Sequence, residues 1–270
     1  MTLTRGRGPF GPDPAGHFNF SRTGPAHVLF WDPSPKRVRA MFAGEAVADS
    51  RQAKLLHETG LAPVWYFPLD DVRTDLLVPT DRHTTCPFKG EASYWSIAVG
   101  DRTADNAAWG YPEPLESAPA LAGHVAFYGD ALDAWFEEDD QVIGHPPDPY
   151  HRIDVRQGSQ HVRVRVGEVV VADSTRPRLL FETGLPPRYY LPEADLRADL
   201  LPASATTTVC PYKGVASYRS FGGSDGRSHN DVAWTYPDPL PDAVPVTGHW
   251  SFLGEGVETE VDGKPMPADA

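Results

Sequence analysis

The stretch Cys86-Pro87-Phe88-Lys89-Gly90-Glu91-Ala92-Ser93-Tyr94 returns 124 residues later as Cys210-Pro211-Tyr212-Lys213-Gly214-Val215-Ala216-Ser217-Tyr218. Both cysteines of the protein occupy the same place in this phrase, and a lysine follows each of them by three residues. A proline directly after the cysteine and a glycine three residues beyond the proline favour a type I turn. We therefore predict that each copy is a strand, a tight turn and a second strand.

The similarity extends far beyond this phrase. Aligned without gaps, residues 47–94 match residues 171–218 at 26 of 48 positions, which indicates an internal duplication. After a shift of one residue it resumes at 108–115 and 233–240. Matched apolar residues are expected in a shared core, but matched Asp, Ser, Glu, Cys and Lys residues are costly to bury without partners. They are either structural hydrogen-bond anchors or the lining of one pocket per repeat.

The local pattern predicts β structure. Apolar residues alternate with polar ones through Val38, Ala40 and Phe42, and the second copy shows strand, Gly167-Glu168 turn and strand. With 28 prolines in 270 residues, long helices are not expected. The best helical candidate is a single turn between Asp71 and Leu77. We predict a mainly β protein made of two tandem, homologous, small antiparallel β domains with little helix.

The pattern also suggests domain limits. Gly- and Pro-rich sequence with scattered aromatic residues precedes the first repeat, and a proline-rich strap separates the repeats. The predicted segments are an N-terminal arm (1–36), a first repeat domain (37–143), a strap (144–160), a second repeat domain (161–262) and a C-terminal tail (263–270).

Charge and composition narrow the class of partner. The net charge of −13 argues against nucleic acid, because phosphate binding requires basic patches. Six acidic residues between Asp130 and Asp140 are expected to form a solvated surface segment. No stretch resembles a signal peptide or approaches about 18 consecutive apolar residues, so no membrane partner is predicted. Two cysteines make no disulfide framework, and we expect a cytoplasmic protein with free thiols.

Several ordered motifs resemble the domain-of-unknown-function 427 family. They are Val47-Ala48-Asp49-Ser50, Leu55-Leu56-x-Glu58, the Cys86–Tyr94 phrase and Ala108-Trp109-x-Tyr111, each with its second copy. The resemblance covers roughly residues 36–262 and includes the strap sequence Asp148–Arg152. It implies a compact, β-tent-like domain present twice. The family is sometimes labelled nucleotidyltransferase-like, but the resemblance carries no defined reaction.

The cysteines favour packing over catalysis. A nearby lysine could lower the pKa of Cys86 or Cys210, but cysteine is more often a buried, inert residue. We find no histidine in fixed register close to both cysteines, although His124 and His249 could converge on them in space. Each repeat offers one cysteine without a Cys-x-x-Cys or His-x-x-x-His partner, so we predict no metal site and no cofactor.

Lys89 and Lys213 are the most informative polar residues. A lysine kept beside a glycine suits an anionic ligand such as a carboxylate or phosphate. The alternative is a salt bridge to Glu58 or Glu182, or to Asp49 or Asp173. The candidate catalytic residues are Cys86, Lys89, Cys210 and Lys213. The candidate ligand-binding residues are Asp49, Ser50, Glu58, Tyr66, Lys89, Tyr94, Trp109 and His124 in the first repeat, and Asp173, Ser174, Glu182, Tyr190, Lys213, Tyr218, Trp234 and His249 in the second.

For several candidates a structural role competes with a ligand-binding one. Asp49-Ser50 and its copy are also expected to form turns with their own backbone, and the tryptophans more often fill a core. Gly222–Gly226 is interpreted as a hairpin turn and not as a phosphate loop.

Two hypotheses about function remain. One is a small-molecule site of unknown ligand in each repeat or shared between them, with or without catalysis; the other is a structural or partner-binding double domain. The family label adds a nucleotidyltransferase-like enzyme as a further alternative. Because Trp65 becomes Tyr189 and Trp95 becomes Arg219, we expect one site to be more competent.

Overall fold

The computed structural model describes residues 3–21, 24–222 and 228–267. The chain divides into two compact units, Met1–Asp148 and Pro149–Ala270. The predicted hairpin turn at Gly222–Gly226 lies outside the described residues, except for Gly222 itself.

The first unit consists of a seven-stranded sheet, in the order β1-β4-β5-β9-β8-β7-β6, and a four-stranded sheet, in the order β11-β10-β2-β3. All the pairings within these sheets are antiparallel. The strands are β1 (Leu29–Pro33), β2 (Val38–Phe42), β3 (Glu45–Ser50), β4 (Lys54–Glu58), β5 (Val64–Pro68), β6 (Leu77–Cys86), β7 (Gly90–Val99), β8 (Arg102–Gly110), β9 (His124–Phe127), β10 (Ala134–Glu137) and β11 (Asp140–Val142).

The second unit repeats this arrangement. Its larger sheet has the order β12-β15-β16-β20-β19-β18-β17 and its smaller sheet the order β14-β13-β21-β22. The strands are β12 (Ile153–Gln157), β13 (Val162–Val166), β14 (Val169–Ser174), β15 (Arg178–Glu182), β16 (Arg188–Pro192), β17 (Ala203–Cys210), β18 (Gly214–Gly222), β19 (Ser228–Thr235), β20 (His249–Phe252), β21 (Val257–Val261) and β22 (Lys264–Pro265). The prediction of a duplicated, mainly β, antiparallel protein is confirmed.

Successive residues of a strand point to opposite sides of a sheet, and in each larger sheet residues of both faces belong to buried clusters. In β5, Trp65 and Phe67 belong to the core shared with the smaller sheet, whereas Tyr66 belongs to a separate cluster on the other face. We call this second cluster the inner cluster. It comprises Leu56, Tyr66, Ala92, Tyr94, Tyr111, Leu121 and Ala126 in the first unit, and Ile153, Leu180, Tyr190, Ala216, Tyr236, Ala243 and Val246 in the second.

The larger sheet curls around its inner cluster. Three strands separate β4 from β7 in the sheet order, so a flat sheet would hold them roughly 19 Å apart at the usual spacing of neighbouring strands. Nevertheless Glu58, the last residue of β4, forms an ion pair with Lys89 in the turn that precedes β7. The contact requires the sheet to bend until its distant strands meet.

Helical structure is as sparse as the sequence indicates. Among the described residues every helix is a 3₁₀ helix of three to six residues. Two of them, Leu69–Asp71 and Thr74–Leu76, cover most of the predicted turn between Asp71 and Leu77. The others are Gly129–Ala131, Glu193–Asp195, Ala198–Leu200 and Pro241–Val246, the last of which the sequence analysis did not predict.

The predicted arm, strap and tail each contribute a strand. Part of the arm is β1, which pairs with β4 from Leu29↔Glu58 to Pro33↔Lys54. Part of the strap is β12, which pairs with β15 in the same manner. Lys264 and Pro265 of the tail form β22, which pairs with β21. All three are short strands at the edges of their sheets.

The glycine of the repeated phrase is required by its surroundings. Gly90 and Gly214 have φ angles of +106° and +108°. A Cβ at Gly90 would lie 3.2 Å from the carbonyl oxygen of Glu113, and one at Gly214 would lie 3.0 Å from that of Asp238. Only glycine accepts this backbone conformation together with such close neighbours.

We expect Gly90→Ala and Gly214→Ala each to lower the free energy of unfolding by about 1–3 kcal/mol, because each combines backbone strain with a contact to a carbonyl. Urea unfolding followed by circular dichroism measures the loss. Gly167→Ala is the control: its φ is +57° but nothing lies within 4 Å, so a loss of only about 1 kcal/mol is expected. Equal losses at Gly214 and Gly167 would contradict a role for the close contact.

Candidate functional site

A triad of His, Glu and Lys occupies the same position in both units. In the first unit Lys89 donates a hydrogen bond to Oε2 of Glu58, and Nε2 of His27 lies 2.9 Å from Oε1. In the second unit Lys213 donates to Oε2 of Glu182, and Nε2 of His151 lies 3.0 Å from Oε1. Each carboxylate therefore joins an imidazole through one oxygen and an ammonium through the other.

The triad connects three distant parts of each unit. Lys89 lies in the turn between β6 and β7, Glu58 ends β4, and His27 precedes β1. The histidine ring also stacks on the aromatic residue of the repeated phrase: the ring centroids are 3.7 Å apart for His27 and Phe88, and 3.8 Å apart for His151 and Tyr212. Phe88 and Tyr212 occupy the same position of the phrase, and in both copies this aromatic ring covers a histidine.

The lysine backbone also holds the next loop. The carbonyl oxygen of Lys89 accepts a hydrogen bond from the amide of Leu115 at 3.0 Å, and that of Lys213 from the amide of Leu240 at 3.1 Å. Bridges between Gly90 and Pro114 and between Gly214 and Pro239 bring the same segments together. The segments Pro114-Leu115 and Pro239-Leu240 thus pack against the Lys-Gly turn of their own unit.

The electrostatics of the triad favour an ionised carboxylate. Burial alone would raise the pKa of Glu182, but hydrogen bonds from His151 and Lys213 and the charge of Lys213 outweigh it and lower the pKa to about 2. Lys89 and Glu58 are only 8 % and 7 % exposed, so the corresponding pair in the first unit is buried, whereas the pair of the second unit is partly buried. The predicted salt bridge between the repeated lysine and glutamate is present in both units.

Tyrosines and tryptophans surround the triad. Nε1 of Trp234 donates to the hydroxyl of Tyr190 at 3.2 Å. Burial raises the pKa of Tyr190 and of its counterpart Tyr66, which keeps both phenols neutral. The hydroxyls of Tyr94 and Tyr218 lie 2.8 Å from those of Thr84 and Thr208. The predicted tyrosines and tryptophans therefore form the wall of the inner cluster in each unit.

A cavity of about 370 Å³ adjoins the triad of the second unit. Its charged lining residues are Glu182, Lys213, Arg188 and Asp231. The remaining lining residues are mostly apolar or aromatic: Leu180, Leu185, Pro186, Tyr190, Tyr218, Trp234, Tyr236 and Leu253. The cavity therefore combines two cations and two carboxylates with flat aromatic walls.

The lining differs between the two copies. At the internal repeat offset the position of Arg188 is Val64, and Leu253 corresponds to Tyr128. The ring of Tyr128 packs on Trp109 with centroids 4.4 Å apart. In the second unit the guanidinium of Arg188 lies 5.6 Å from the centroid of Trp234. A cation thus replaces an aliphatic side chain beside the same tryptophan.

The predicted Asp-Ser pairs have other partners. Asp49 accepts hydrogen bonds from Arg37, and Asp173 from Arg163 with His161 beside it. The hydroxyl of Ser50 donates to Asp71 at 2.5 Å, and that of Ser174 to Asp195 at 2.7 Å.

Each serine hydroxyl also accepts a hydrogen bond from the backbone amide two residues later, the turn that the sequence analysis offered as the alternative. The four residues of the two pairs lie on β3 and β14 of the smaller sheets and not in the triad.

The two predicted histidines do not join the triad. Nδ1 of His124 lies 3.1 Å from the carbonyl oxygen of Ala122, and Nδ1 of His249 lies 2.9 Å from that of Thr247. His124 also meets the ring of Trp31 edge-on. The sequence analysis considered that these histidines converge on the cysteines. The hydrogen bond of each histidine is instead to a backbone carbonyl oxygen.

Cys86 and Cys210 are free and partly buried. Each packs against the inner cluster of its own unit, beside Tyr66 or Tyr190. Each cysteine therefore lies at the start of the turn that carries the lysine, and its surroundings are chiefly apolar and aromatic. Packing accounts for both cysteines, the role that the sequence analysis favoured.

Sequence analysis missed His27, His151 and Arg188. The histidines were assigned to the arm and the strap, yet a signal existed: Pro25-x-His27 and Pro149-x-His151 are separated by the repeat offset of 124 residues. Each histidine also lies 31 residues before its glutamate, which lies 31 residues before its lysine. Arg188 had no such signal, because it is one of the positions where the copies differ.

Two negative observations apply to the part of the chain that the structure describes. No group of three or more His, Cys, Asp or Glu side chains is arranged to hold a metal ion within residues 3–21, 24–222 and 228–267. Within the same ranges, no helix combines the length and apolar character needed to cross a bilayer.

The fold and the repeated triad define a duplicated, two-domain, all-β protein. The family described as domain of unknown function DUF427, with the short name NTP_transf_9, matches residues 31–138 and 154–263. Because these two segments cover most of the chain, the protein belongs to this family as a tandem member. No curated protein matches the chain.

We expect Glu182→Gln to destabilise the second unit by about 3 kcal/mol at pH 7, because it leaves Lys213 buried without its counter-charge. The pKa of Glu182 is lowered to about 2, so its stabilisation is present above the unfolded-state value near 4.3 and is lost as the pH falls towards 2. Urea unfolding of wild type and variant at pH 7, 5, 4 and 3 measures the difference.

Glu255→Gln, at an exposed position, controls for the loss of one negative charge and should change little. A difference between wild type and Glu182→Gln that stays constant from pH 5 to pH 3 would show that the carboxylate is not held ionised by its partners.

Proposed function

We propose that this protein binds a small molecule with an anionic group in the cavity beside Lys213 and Arg188 of the second unit. The observation that carries the proposal is the cavity itself, whose volume of about 370 Å³ lies in the range of known ligand sites. Two cationic side chains and four aromatic side chains line it, together with the carboxylates Glu182 and Asp231, and we infer that it suits an aromatic or otherwise flat carboxylate held by the two cations.

Lys213 retains hydrogen-bonding capacity although it is ion-paired. An ammonium has three donors, and the contact with Glu182 uses one of them. The fork of an arginine matches a carboxylate with two parallel hydrogen bonds. Burial lowers the pKa of Arg188, so an anionic ligand would offset part of the cost of desolvating the guanidinium.

The triad supports binding better than a reaction. An ion-paired ammonium donates hydrogen bonds and is not a nucleophile. The same triad is present in the first unit, where Val64 replaces Arg188. We therefore assign to the triad the task of closing the sheet, and to Arg188 the recognition of the ligand. This makes the second unit the more competent of the two.

The alternative is a structural or partner-binding double domain. It is favoured by the near-complete burial of Lys89 and Glu58, since an ion pair with so little access to solvent is typical of a structural contact. The two functions differ in what Arg188 does: in a structural module it packs on Trp234, whereas in a binding site it also holds the ligand.

Benzoate is a suitable probe, because it joins a flat ring to a carboxylate. We expect isothermal titration to show one benzoate per wild-type chain, and Arg188→Val to weaken it tenfold or more, as expected for a hydrogen bond to a charged group. Lys213→Met should weaken it as well. The variant Arg188→Val introduces the residue of the first unit and is therefore compatible with the fold.

The reciprocal variant Val64→Arg tests whether the first unit gains benzoate affinity when it receives the cation. Inorganic phosphate serves as a second probe that lacks the ring. Equal affinities of wild type and Arg188→Val for both probes, together with a lower melting temperature for Lys213→Met, would refute ligand recognition and leave the triad a structural role.

A further inference from the structure

A second cavity of the second unit lies where the first unit has a tryptophan. In the first unit Trp135 of β10 packs against Trp65 and Phe67, with ring centroids 5.2 Å and 6.1 Å apart. These residues fill the space between the larger and smaller sheets. The indole of Trp135 is therefore an internal plug.

The residue equivalent to Trp135 follows from the strand register. Trp135 pairs with Ala40 of β2, and Thr259 pairs with Val164 of β13. Ala40 and Val164 are 124 residues apart, which is the repeat offset. Thr259 therefore takes the place of the plug.

The two residues that pack against Trp135 in the first unit are also replaced by different side chains in the second unit. Trp65 and Phe67 correspond to Tyr189 and Leu191. Tyr189, Leu191 and Thr259 all line a cavity of about 320 Å³. The sheets of the second unit thus enclose, as empty space, a site that the first unit fills with an aromatic side chain.

The chemistry of the lining defines the class of ligand. The walls are apolar, formed mainly by Val162, Val164, Leu191, Phe252 and Val257. Most of the polar groups on the strand beside them are acceptors: Glu258, Thr259 and Glu260. Such a cavity favours a flat, mainly apolar molecule that donates a hydrogen bond, and its lining also includes the guanidinium-bearing residue Arg188.

We propose that this cavity binds a planar aromatic molecule with a ring N–H, of the size of indole. The indole of Trp135 shows that the space between two such sheets accepts a bicyclic ring. The hydroxyl of Thr259 provides an acceptor for the ring N–H. Glu258 and Glu260 alternate to the other face of β21, where Glu260 is ion-paired with Arg165. Apolar cavities of about 150 Å³ already bind small aromatic molecules in proteins, and this one is larger.

This site is separate from the proposed carboxylate site, although Arg188 and Leu253 line both cavities. Lys213 and Glu182 line only the carboxylate site, whereas Thr259 lines only the aromatic one. Variants at Lys213 and at Thr259 therefore test the two sites independently.

Indole itself is the probe. We expect titration calorimetry of the full chain to show one indole per molecule, with a melting temperature that rises with indole concentration. Thr259→Trp, which installs the plug of the first unit, should abolish indole binding and raise the melting temperature of the free protein. Thr259→Ser, the matched control, should retain binding.

The reciprocal variant Trp135→Thr should open the corresponding space in the first unit and raise the stoichiometry to two. Lys213→Met should leave indole binding unchanged while it weakens benzoate, which separates failure of one proposal from failure of the other. Should Thr259→Trp not fold, Thr259→Leu partly fills the cavity and should weaken indole at least tenfold. Absence of saturable indole binding to the wild type, or unchanged binding to the filled variants, overturns the inference.

Discussion

The ion pair between a glutamate at the end of one strand and a lysine in a distant turn holds each unit in its shape. A seven-stranded antiparallel sheet would otherwise keep β4 and the β6–β7 turn far apart. Their contact curls the sheet and makes one of its faces concave. Because the pair is buried, removing either member leaves an uncompensated charge, and this makes the contact costly to lose.

The histidine completes this constraint. His27 and His151 hydrogen-bond to the second oxygen of the carboxylate and cover the turn by stacking on its aromatic residue. The repeated cysteine, lysine and glycine then have one shared explanation. The cysteine packs inside, the lysine closes the sheet, and the glycine lets the following loop approach the turn.

The two units share this arrangement of sheets and ion pair, and differ in the side chains that occupy the space beside the sheets. The first unit is packed with large aromatic side chains at Trp65, Tyr128 and Trp135. At the equivalent positions the second unit has smaller or less bulky residues and encloses two cavities. Our proposals for ligand binding rest on this asymmetry.

The sequence by itself determined the duplication and the β character, because strand alternation, turn residues and matched positions are local or periodic signals. It left open whether the repeated lysine meets a ligand, a glutamate or an aspartate, and the structure shows the glutamate. The sequence did not determine which histidine joins that contact. His27 lies 31 residues before Glu58, outside the aligned block, and only the pairing of β1 with β4 brings them together. The cavities likewise depend on tertiary packing. Thr259 and Arg188 line them together with side chains that are distant in the sequence.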